Sequence, residues 1–394
     1  MTPPASSTHP WLVLTLIVLS TVLGLAGTDL VLPAVPSLPS RLGGDITSAQ
    51  LVIATYVGGT ALGLLGYGAL GDRLSTRLLL LGSLVGNALI AFACTWVRDI
   101  HWLIALRTLQ GAVAAGPAVF APGIVKELFN DTGAVRAIGL LGSIEALAPA
   151  AAPILGTWLL SLGGWQLSFR VIATLALLIA LAIAAAGSLP QTARRQHGSY
   201  ARLLGDRVFL RYALSQAFVV GGLLTFVFGM PAVFVHAFDG SLSQFIIMQV
   251  CGIVGFMVLA NLAGHHLLRQ YGPERLISVG SALACLGALA TLVYALTGGR
   301  NAIVITALFI PVNAGLGLRG PPGFYHAVLA ARGDAARGAA LTLLGIMGAA
   351  AVGTAIAAPF VANGLVQLTA IALVLHVLAM ACLMLLPKLS EAST

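Results

Sequence analysis

The sequence predicts an all-α integral membrane protein with twelve transmembrane helices, arranged as two pseudo-symmetric bundles of six. Two features of the composition support this fold class: hydrophobic residues make up 59% of the chain and charged residues only 8%. A soluble domain carries about 25% charged residues, so this chain lacks the polar side chains that would cover a water-exposed surface. The third feature is a series of apolar runs of roughly 20 residues, the length that a helix needs to cross a bilayer.

The apolar runs follow one another along the chain and are separated by short polar segments. They cover residues 11–36, 48–71, 78–97, 102–125, 138–162, 171–189, 208–237, 244–268, 276–297, 302–330, 339–362 and 365–386. None alternates apolar and polar residues as the strands of a membrane barrel do. No Lys or Arg precedes the first run, which favours a retained span over a cleaved signal peptide.

The basic residues are distributed unequally between the two sets of connecting segments. If the N-terminus is cytoplasmic, fourteen basic residues fall in cytoplasmic segments and four in outer loops. The fourteen are Arg73, Arg77, Lys126, Arg136, Arg194, Arg195, Arg202, Arg207, Arg211, Arg269, Arg275, Arg332, Arg337 and Lys388, and the four are Arg41, Arg98, Arg170 and Arg300. Because cytoplasmic loops are enriched in Lys and Arg, both termini are predicted to be cytoplasmic. The short loops and few lysines favour a bacterial inner (plasma) membrane.

The longest polar stretch divides the chain into two halves. We predict an N-terminal six-helix bundle at 1–189, a cytoplasmic central loop at 190–207 and a C-terminal six-helix bundle at 208–394. The halves share a weak internal sequence repeat. Leu-Pro-Ala-Val at 32–35 recurs as Met-Pro-Ala-Val at 230–233, and Gly-Pro at 116–117 recurs at 320–321. Similar offsets indicate parallel halves related by an axis along the membrane normal.

Several classes of function are excluded by what the sequence lacks. The basic residues lie at the ends of apolar runs rather than on one face, which argues against nucleic acid as a partner. No spacing of His and Cys is typical of a metal site, and no phosphate-binding loop is present. With no catalytic cluster, we predict neither an enzyme nor a cofactor.

Four Asp, Glu and Arg residues lie well inside the apolar runs, where a charge is costly unless it meets a partner or water. Asp29 in the first run and Arg107 in the fourth lie at similar depth toward the outer side, so they can pair. Glu145 in the fifth run and Arg319 in the tenth lie at similar depth toward the cytoplasm, and we predict a second pair. The alternatives are a purely structural ion pair for Asp29 and Arg107, a salt bridge at the membrane surface for Glu145, and a structural or snorkelling Arg319.

The segment between the second and third runs reads GALGDRLSTR, from Gly68 to Arg77. Gly68 and Gly71 allow the end of the second helix to approach a neighbouring helix closely. Asp72 can accept hydrogen bonds from helix-end amides or an arginine. Arg73 and Arg77 can hold the cytoplasmic side closed. The alternative is that the segment only anchors the helices by its positive charge.

The fifth run contains Ala-Pro-Ala-Ala-Ala-Pro-Ile-Leu-Gly at 148–156. Pro149 and Pro153 each remove a helix hydrogen bond and bend the helix, and the small residues up to Gly156 permit tight packing. The alternative is a kinked packing helix without a role in the direction of transport.

Together these segments resemble the drug:proton antiporter branch of the major facilitator superfamily, in particular its Bcr/CflA and chloramphenicol-exporter group. The family's signature loop reads G-x-L-x-D-R-x-G-R-R, and this chain departs from it at Ser75 and Thr76. The matching motifs cover residues 28–165, and the second half resembles the family only in layout. The resemblance implies a proton or cation site at Asp29 with Arg107 as its charge partner, an exporter motif in the fifth run, and a central cavity lined by the first, fourth, seventh and tenth helices.

The predicted function is therefore proton-coupled efflux of small amphipathic compounds by alternating access, with Asp29, Arg107 and Glu145 in proton coupling. In an apolar cavity, Arg319 would contact an anionic or strongly polar group of the substrate. Phe226 and Met230 are four residues apart, so they share one helix face and would line the cavity. The alternative is that this face contacts lipid or packs against other helices. The predicted partners are a small-molecule substrate, protons and the bilayer, and the predicted state is a monomer. The alternatives are an importer or uniporter of a metabolite or organic anion, and a non-transporting membrane protein.

Overall fold

The protein is described by a computed structural model that covers residues 10–71, 73–129, 151–186, 200–262, 266–332 and 334–389. Eleven helices within these ranges are long and apolar enough to cross a membrane. A shorter apolar helix, Ala151–Gly163, occupies the end of the fifth predicted run, whose earlier part lies outside the described residues. The predicted all-α membrane fold is confirmed.

We number the spans 1 to 12 in chain order. Spans 1 to 4 are Pro10–Leu42, Ile46–Leu70, Thr76–Cys94 and Ile100–Val125. Ala151–Gly163 belongs to span 5, and spans 6 to 8 are Trp165–Ala185, Arg207–Ala237 and Leu242–Leu262. Spans 9 to 12 are Pro273–Leu296, Ala302–Ala330, Arg337–Phe360 and Leu365–Leu385. The short helices Tyr200–Gly205 and Leu268–Tyr271 lie in polar connecting segments.

The chain folds into two compact units. The first comprises residues 1–43 and 55–196, and the second comprises 44–54 and 197–394. The segment 44–54 is tied into the second unit by the side chain of Gln50, whose Nε2 donates to the carbonyl oxygen of Phe228 at 2.9 Å. Large apolar side chains such as Leu62, Leu89 and Leu178 are exposed on the surfaces of their spans. In a membrane this arrangement is favourable, because the surrounding solvent is hydrocarbon.

Proline and glycine interrupt two of the spans in the first unit. Span 1 is an α-helix from Pro10 to Asp29, followed by a 3₁₀ turn at Leu32–Ser37 and a short helix at Leu38–Leu42. The helix of span 4 is interrupted at Ala115, between the helices Ile100–Ala114 and Gly116–Leu128. The corresponding Gly-Pro pair at 320–321 does not interrupt its span, because the helix of span 10 continues through it from Ala302 to Ala330. The Met-Pro-Ala-Val repeat precedes a π-helical turn at Val233–Ala237 that ends span 7.

Most described acidic residues stabilise helix ends or ion pairs. Asp99 and Asp206 cap the helices that follow them, accepting hydrogen bonds from the amides of His101 and Val208, both at 2.8 Å. Asp45 accepts from the amide of Ser48 at 2.8 Å, and this hydrogen bond holds the pKa of the exposed Asp45 carboxyl below its ordinary value. These carboxylates therefore serve local structure at the ends of the spans.

The beginning of span 7 holds a buried ion pair in the second unit. Arg211 is 2% exposed and donates to the Glu274 carboxylate at 3.0 Å and to the carbonyl oxygen of Leu386 at 2.7 Å. Tyr212 also donates to Glu274 and accepts from the amide of Leu389 at 3.0 Å. This cluster ties the start of span 9 and the segment after span 12 to span 7.

Candidate functional site

Asp29 differs from every other acidic residue that the structure describes. It is 7% exposed, and it is the only carboxylate among the described residues whose whole side chain is buried. It caps no helix start, and no described residue forms a hydrogen bond or an ion pair with its side chain. A carboxyl group placed in this way inside a membrane span costs free energy, and such groups generally have a function.

The backbone around Asp29 explains why polar groups gather there. The amide of Val31 donates to the carbonyl oxygen of Thr28 at 3.1 Å, so it does not complete the α-helical hydrogen bond to Gly27. Pro33 has no amide hydrogen, so the carbonyl oxygen of Asp29 also lacks its usual helical partner. The helix of span 1 therefore ends at Asp29 and leaves carbonyl groups available to other spans.

Arg107 of span 4 binds one of these carbonyl groups. It is 0% exposed, and its Nη2 donates to the carbonyl oxygen of Gly27 at 3.0 Å. Its guanidinium lies 3.9 Å from the ring centroid of Tyr56, whose hydroxyl donates to the carbonyl oxygen of Gly24 at 2.7 Å. Arg107 is thus bound to the backbone of span 1 at Gly27, two residues before Asp29, and forms no direct ion pair with the Asp29 carboxylate.

A polar chain extends from Arg107 away from span 1. Arg107 Nη1 donates to Gln110 Oε1 at 2.8 Å, and Gln110 Nε2 donates to Asn87 Oδ1 on span 3 at 3.1 Å. All three side chains are buried. Because Gln110 follows Arg107 by three residues, both lie on one helix face, and the chain fixes the orientation of the guanidinium.

Spans 5 and 6 meet span 1 directly after Asp29. A Cβ atom on Gly156 would lie 3.0 Å from the carbonyl carbon of Leu30, so only glycine allows this approach of spans 5 and 1. Ser168 of span 6 donates its hydroxyl to the carbonyl oxygen of Leu30 at 3.1 Å. We refer to Asp29, Arg107, Tyr56, Gly156 and Ser168 as the span 1 break site.

The break site combines features that suit proton binding. One carboxyl group can change its charge by one proton, and the buried guanidinium of Arg107 is bound to the same stretch of span 1, at Gly27. The proline motif of span 5 packs against the same point, with Pro153 buried and its carbonyl oxygen accepting from the Thr157 hydroxyl at 2.9 Å. Pro149 of the same motif lies outside the described residues, as does Glu145, which we predicted to pair with Arg319.

The signature loop is positioned by span 3 and span 6. Arg77 Nη2 donates to the carbonyl oxygen of Ala184 near the end of span 6 at 2.7 Å, and Arg73 is exposed. Ser75, where the family pattern has glycine, caps span 3 by accepting from the amide of Leu78 at 3.3 Å. The departure from the family pattern therefore supplies a helix cap.

Both glycines of the loop, Gly68 and Gly71, lie at the end of span 2. Gly68 is buried, and a Cβ atom on Gly71 would lie 3.2 Å from the ring of Phe120 in span 4. Both positions are therefore suited to small residues. Asp72 lies outside the described residues.

The residues predicted to line a cavity lie inside the second unit. Phe226 is buried, stacks on Phe309 with ring centroids 5.3 Å apart, and lines a small cavity with His376. That cavity is large enough for about one water molecule. Met230 is 0% exposed, and Arg319 is 0% exposed and binds span 7.

Several polar residues of the break site and of the polar chain beyond Arg107 were missed in the sequence. Tyr56, Asn87 and Ser168 are single polar residues in apolar runs and carried no motif. The available signal was the spacing of Gln110 from Arg107, which places a hydrogen-bonding amide on the same face as the buried charge. Polar side chains in a lipid environment need partners, so each of them indicated a helix contact.

Arg107→Lys is expected to disrupt the break site although it keeps the charge. An ammonium group cannot donate to Gly27 and Gln110 in fixed directions while stacking on Tyr56, because it lacks the planar fork of arginine. We expect a loss of about 2–4 kcal/mol in stability, measured by thermal unfolding in detergent. Arg98→Lys, which makes the same change at an exposed arginine before span 4, is the matched control and should keep the wild-type stability.

Comparison with known proteins identifies the same family as the motifs. The chain matches the family model described as Major Facilitator Superfamily over residues 17–358. A bicyclomycin resistance protein homolog from Haemophilus influenzae is 26% identical over 274 residues, which cover 67% of this chain and 68% of that protein. The chloramphenicol resistance protein CraA from Acinetobacter baumannii is 32% identical over 153 residues, which cover 39% of this chain and 37% of that protein.

A solved structure shares the fold at low identity. It is a bacterial homolog to the human lysosomal transporter Spinster, and the match covers 97% of each chain with a TM-score of 0.74 and 15% identity. The resemblance that the motifs indicated is confirmed by the family model and the resistance proteins, and the fold by this structure.

Proposed function

Because the chain belongs to the Major Facilitator Superfamily and is a membrane transporter of small molecules, we propose that it is a proton-coupled antiporter that exports small amphipathic compounds. The observation that carries this proposal is the buried carboxyl group of Asp29 at the break in span 1, two residues after the Gly27 carbonyl group that the buried guanidinium of Arg107 binds. A transporter driven by protons needs one titratable group inside the membrane, and among the described residues Asp29 is the buried carboxylate that meets this need.

The proposed mechanism uses the change of charge at Asp29. When Asp29 is ionised, it balances the positive charge of Arg107 across Gly27, and when it binds a proton, that balance is lost. The carrier therefore prefers different conformations in the two protonation states, and alternating access follows if substrate and proton are carried in opposite directions. Gly156 and Leu30 place span 5 against the same point, so a movement of span 1 is transmitted to span 5.

Export is the proposed direction for two reasons. The relatives named for resistance to bicyclomycin and chloramphenicol match this chain, and resistance is a consequence of export. The proline motif of span 5, which implies export through the resemblance, packs against the break site at Gly156. The proposed location is a bacterial inner membrane with both termini in the cytoplasm, supported by the excess of basic residues in the segments on that side.

The proposal is tested with purified protein in proteoliposomes that contain a pH-sensitive dye. Addition of chloramphenicol, or of an amphipathic cation such as ethidium, should trigger proton movement that protein-free liposomes do not show. Substrate entry without any pH change would overturn proton coupling and favour a uniporter. Proton movement in the same direction as the substrate would instead identify a symporter, so either result rejects antiport.

A further inference from the structure

Three arginines are almost completely buried among the described residues, and they differ in how their charge is balanced. Arg211 is paired with Glu274 at 3.0 Å, and Arg107 lies beside the Asp29 segment. Arg319 of span 10 is 0% exposed and forms no ion pair with any carboxylate that the structure describes. A buried charge without a counter-ion is costly in a membrane protein, and its retention calls for a reason.

The hydrogen bonds of Arg319 leave part of its guanidinium unused. Nη1 donates to the carbonyl oxygen of Ser215 on span 7 at 2.8 Å, and Nη2 donates to the Ser215 hydroxyl at 3.2 Å. Nε is buried and has no hydrogen-bond partner within the described ranges. If Arg319 only linked spans 10 and 7, a neutral amide side chain would make a similar link without the cost of the charge.

A second unsatisfied polar group lies beside the arginine. Gln216 is 5% exposed, and its Oε1 is buried without a hydrogen-bond partner in the part of the chain that the structure describes. A Cβ atom on Gly323 would lie 2.8 Å from Gln216 Oε1 and 2.9 Å from Arg319 Nη2. Both groups therefore lie close to the side of this glycine where another residue would carry its side chain. Any larger residue at 323 would collide with both of them.

We propose that Arg319, Gln216 and Ser215 form a subsite for a carboxylate group of the transported compound. A carboxylate would accept a hydrogen bond from Arg319 Nε and a second from the Gln216 amide after rotation of its terminal group, since Asn and Gln offer either an oxygen or an NH2. It would also supply a negative charge, which no carboxylate among the described residues provides to Arg319. The inference rests on the proposed function, and it adds compounds that carry an acidic group to the exported amphipathic compounds.

The test compares compounds that differ only in charge. Phenylacetate, phenylacetamide and phenethylamine form one matched set, and indole-3-acetate, indole-3-acetamide and tryptamine form a second. Each is added at equal concentration to the purified protein in detergent, and the Tm is measured. We expect at least one acid to raise the Tm by about 2 °C or more above the effect of its amide and amine.

Variants then assign the effect to the site. Arg319→Gln should lose the acid-specific rise in Tm, Arg319→Lys should keep part of it, and Arg300→Gln, which changes an exposed arginine, should keep all of it. Without ligand, Arg319→Gln should unfold at the same temperature as the wild type or higher, because an uncompensated charge has been removed. A lower Tm without ligand would show that Arg319 is a structural link, and would overturn the proposal.

Two further outcomes separate this inference from the proposed function. If no acid in either set exceeds its amide in the wild type, or if the acid effect persists in Arg319→Gln, the carboxylate subsite is overturned, even where chloramphenicol still drives proton movement. If the acid effect depends on Arg319 but no compound drives proton movement, the subsite stands and proton-coupled export fails.

Discussion

Asp29→Asn is expected to abolish proton movement in the proteoliposome assay while leaving substrate exchange intact. Asparagine has almost the same shape as aspartate but cannot change its charge by binding a proton. No described residue forms a hydrogen bond or ion pair with the Asp29 side chain, so the substitution removes no contact between the described parts of the spans. The variant should therefore fold, bind substrate and exchange it across the membrane without coupling to the proton gradient.

The measurement needs two readouts on each protein. Proton movement is followed with the internal dye, and exchange is followed with radiolabelled chloramphenicol on both sides of the membrane. Asp239→Asn makes the same chemical change at an exposed position in the connection after span 7 and should behave as the wild type in both assays. Wild-type proton movement in Asp29→Asn would assign coupling to another carboxyl group, and Glu145→Gln would then be the variant that abolishes it.

The position of Asp29 and Arg107 shows which features of the site can be predicted from the sequence. Counting residues along a helix gives the depth of a side chain in the membrane, because each residue adds about 1.5 Å. That count placed both residues at the same level, and the structure places them at adjacent points of spans 1 and 4. Depth does not give the direction in which a side chain points around its helix. The sequence therefore could not show that Arg107 binds the carbonyl group of Gly27 instead of the Asp29 carboxylate.

The break in span 1 was only partly predictable. Pro33 and Pro36 in an apolar run indicate an irregular helix end, and Pro33 was recognised as part of a repeated motif. Which carbonyl group becomes free depends on the local change from α to 3₁₀ hydrogen bonding, seen in the contact from Val31 to Thr28. That change is decided by the packing of the neighbouring spans as well as by the local sequence.

The aromatic residues of span 7 show a similar limit. Phe226 and Met230 were predicted to share a helix face, which follows from their spacing of four residues. Periodicity does not reveal what that face contacts. Phe226 stacks on Phe309 of span 10, and Met230 is completely buried, so their surroundings within the second unit are protein side chains and a small cavity.

Gly59→Leu is expected to prevent stable folding of the first unit. A Cβ atom on Gly59 would overlap the carbonyl oxygen of Thr108 in span 4 and lie 3.1 Å from the amide nitrogen of Ala112. Gly63 on the same span and Gly111 on the facing span are equally close to backbone atoms, so spans 2 and 4 touch along several turns. Backbone atoms of a helix cannot rotate aside as a side chain does, and we expect a loss of about 3 kcal/mol or more.

Gly66→Leu provides the matched control for this prediction. Gly66 lies on span 2, is exposed, and has no atom within 4 Å of the position that a Cβ would occupy. Leucine there should be tolerated or stabilising, since it is a better helix former than glycine by up to about 1 kcal/mol. The two variants are compared by the yield of monodisperse protein in size-exclusion chromatography and by thermal unfolding in detergent. Equal behaviour of the two would contradict the close contact of spans 2 and 4.

A milder substitution connects this packing to the proposed function. Tyr56 lies one turn before Gly59 on span 2, and its ring covers the guanidinium of Arg107 at 3.9 Å. Gly59→Ala would displace span 2 by a smaller amount than leucine, and Tyr56 would move away from Arg107 with it. Because arginine at this site is held by stacking as well as by hydrogen bonds, we expect Gly59→Ala to reduce transport more than it reduces the amount of folded protein. Transport that falls only in proportion to folded protein would show that the position of Tyr56 over Arg107 has no part in the transport cycle.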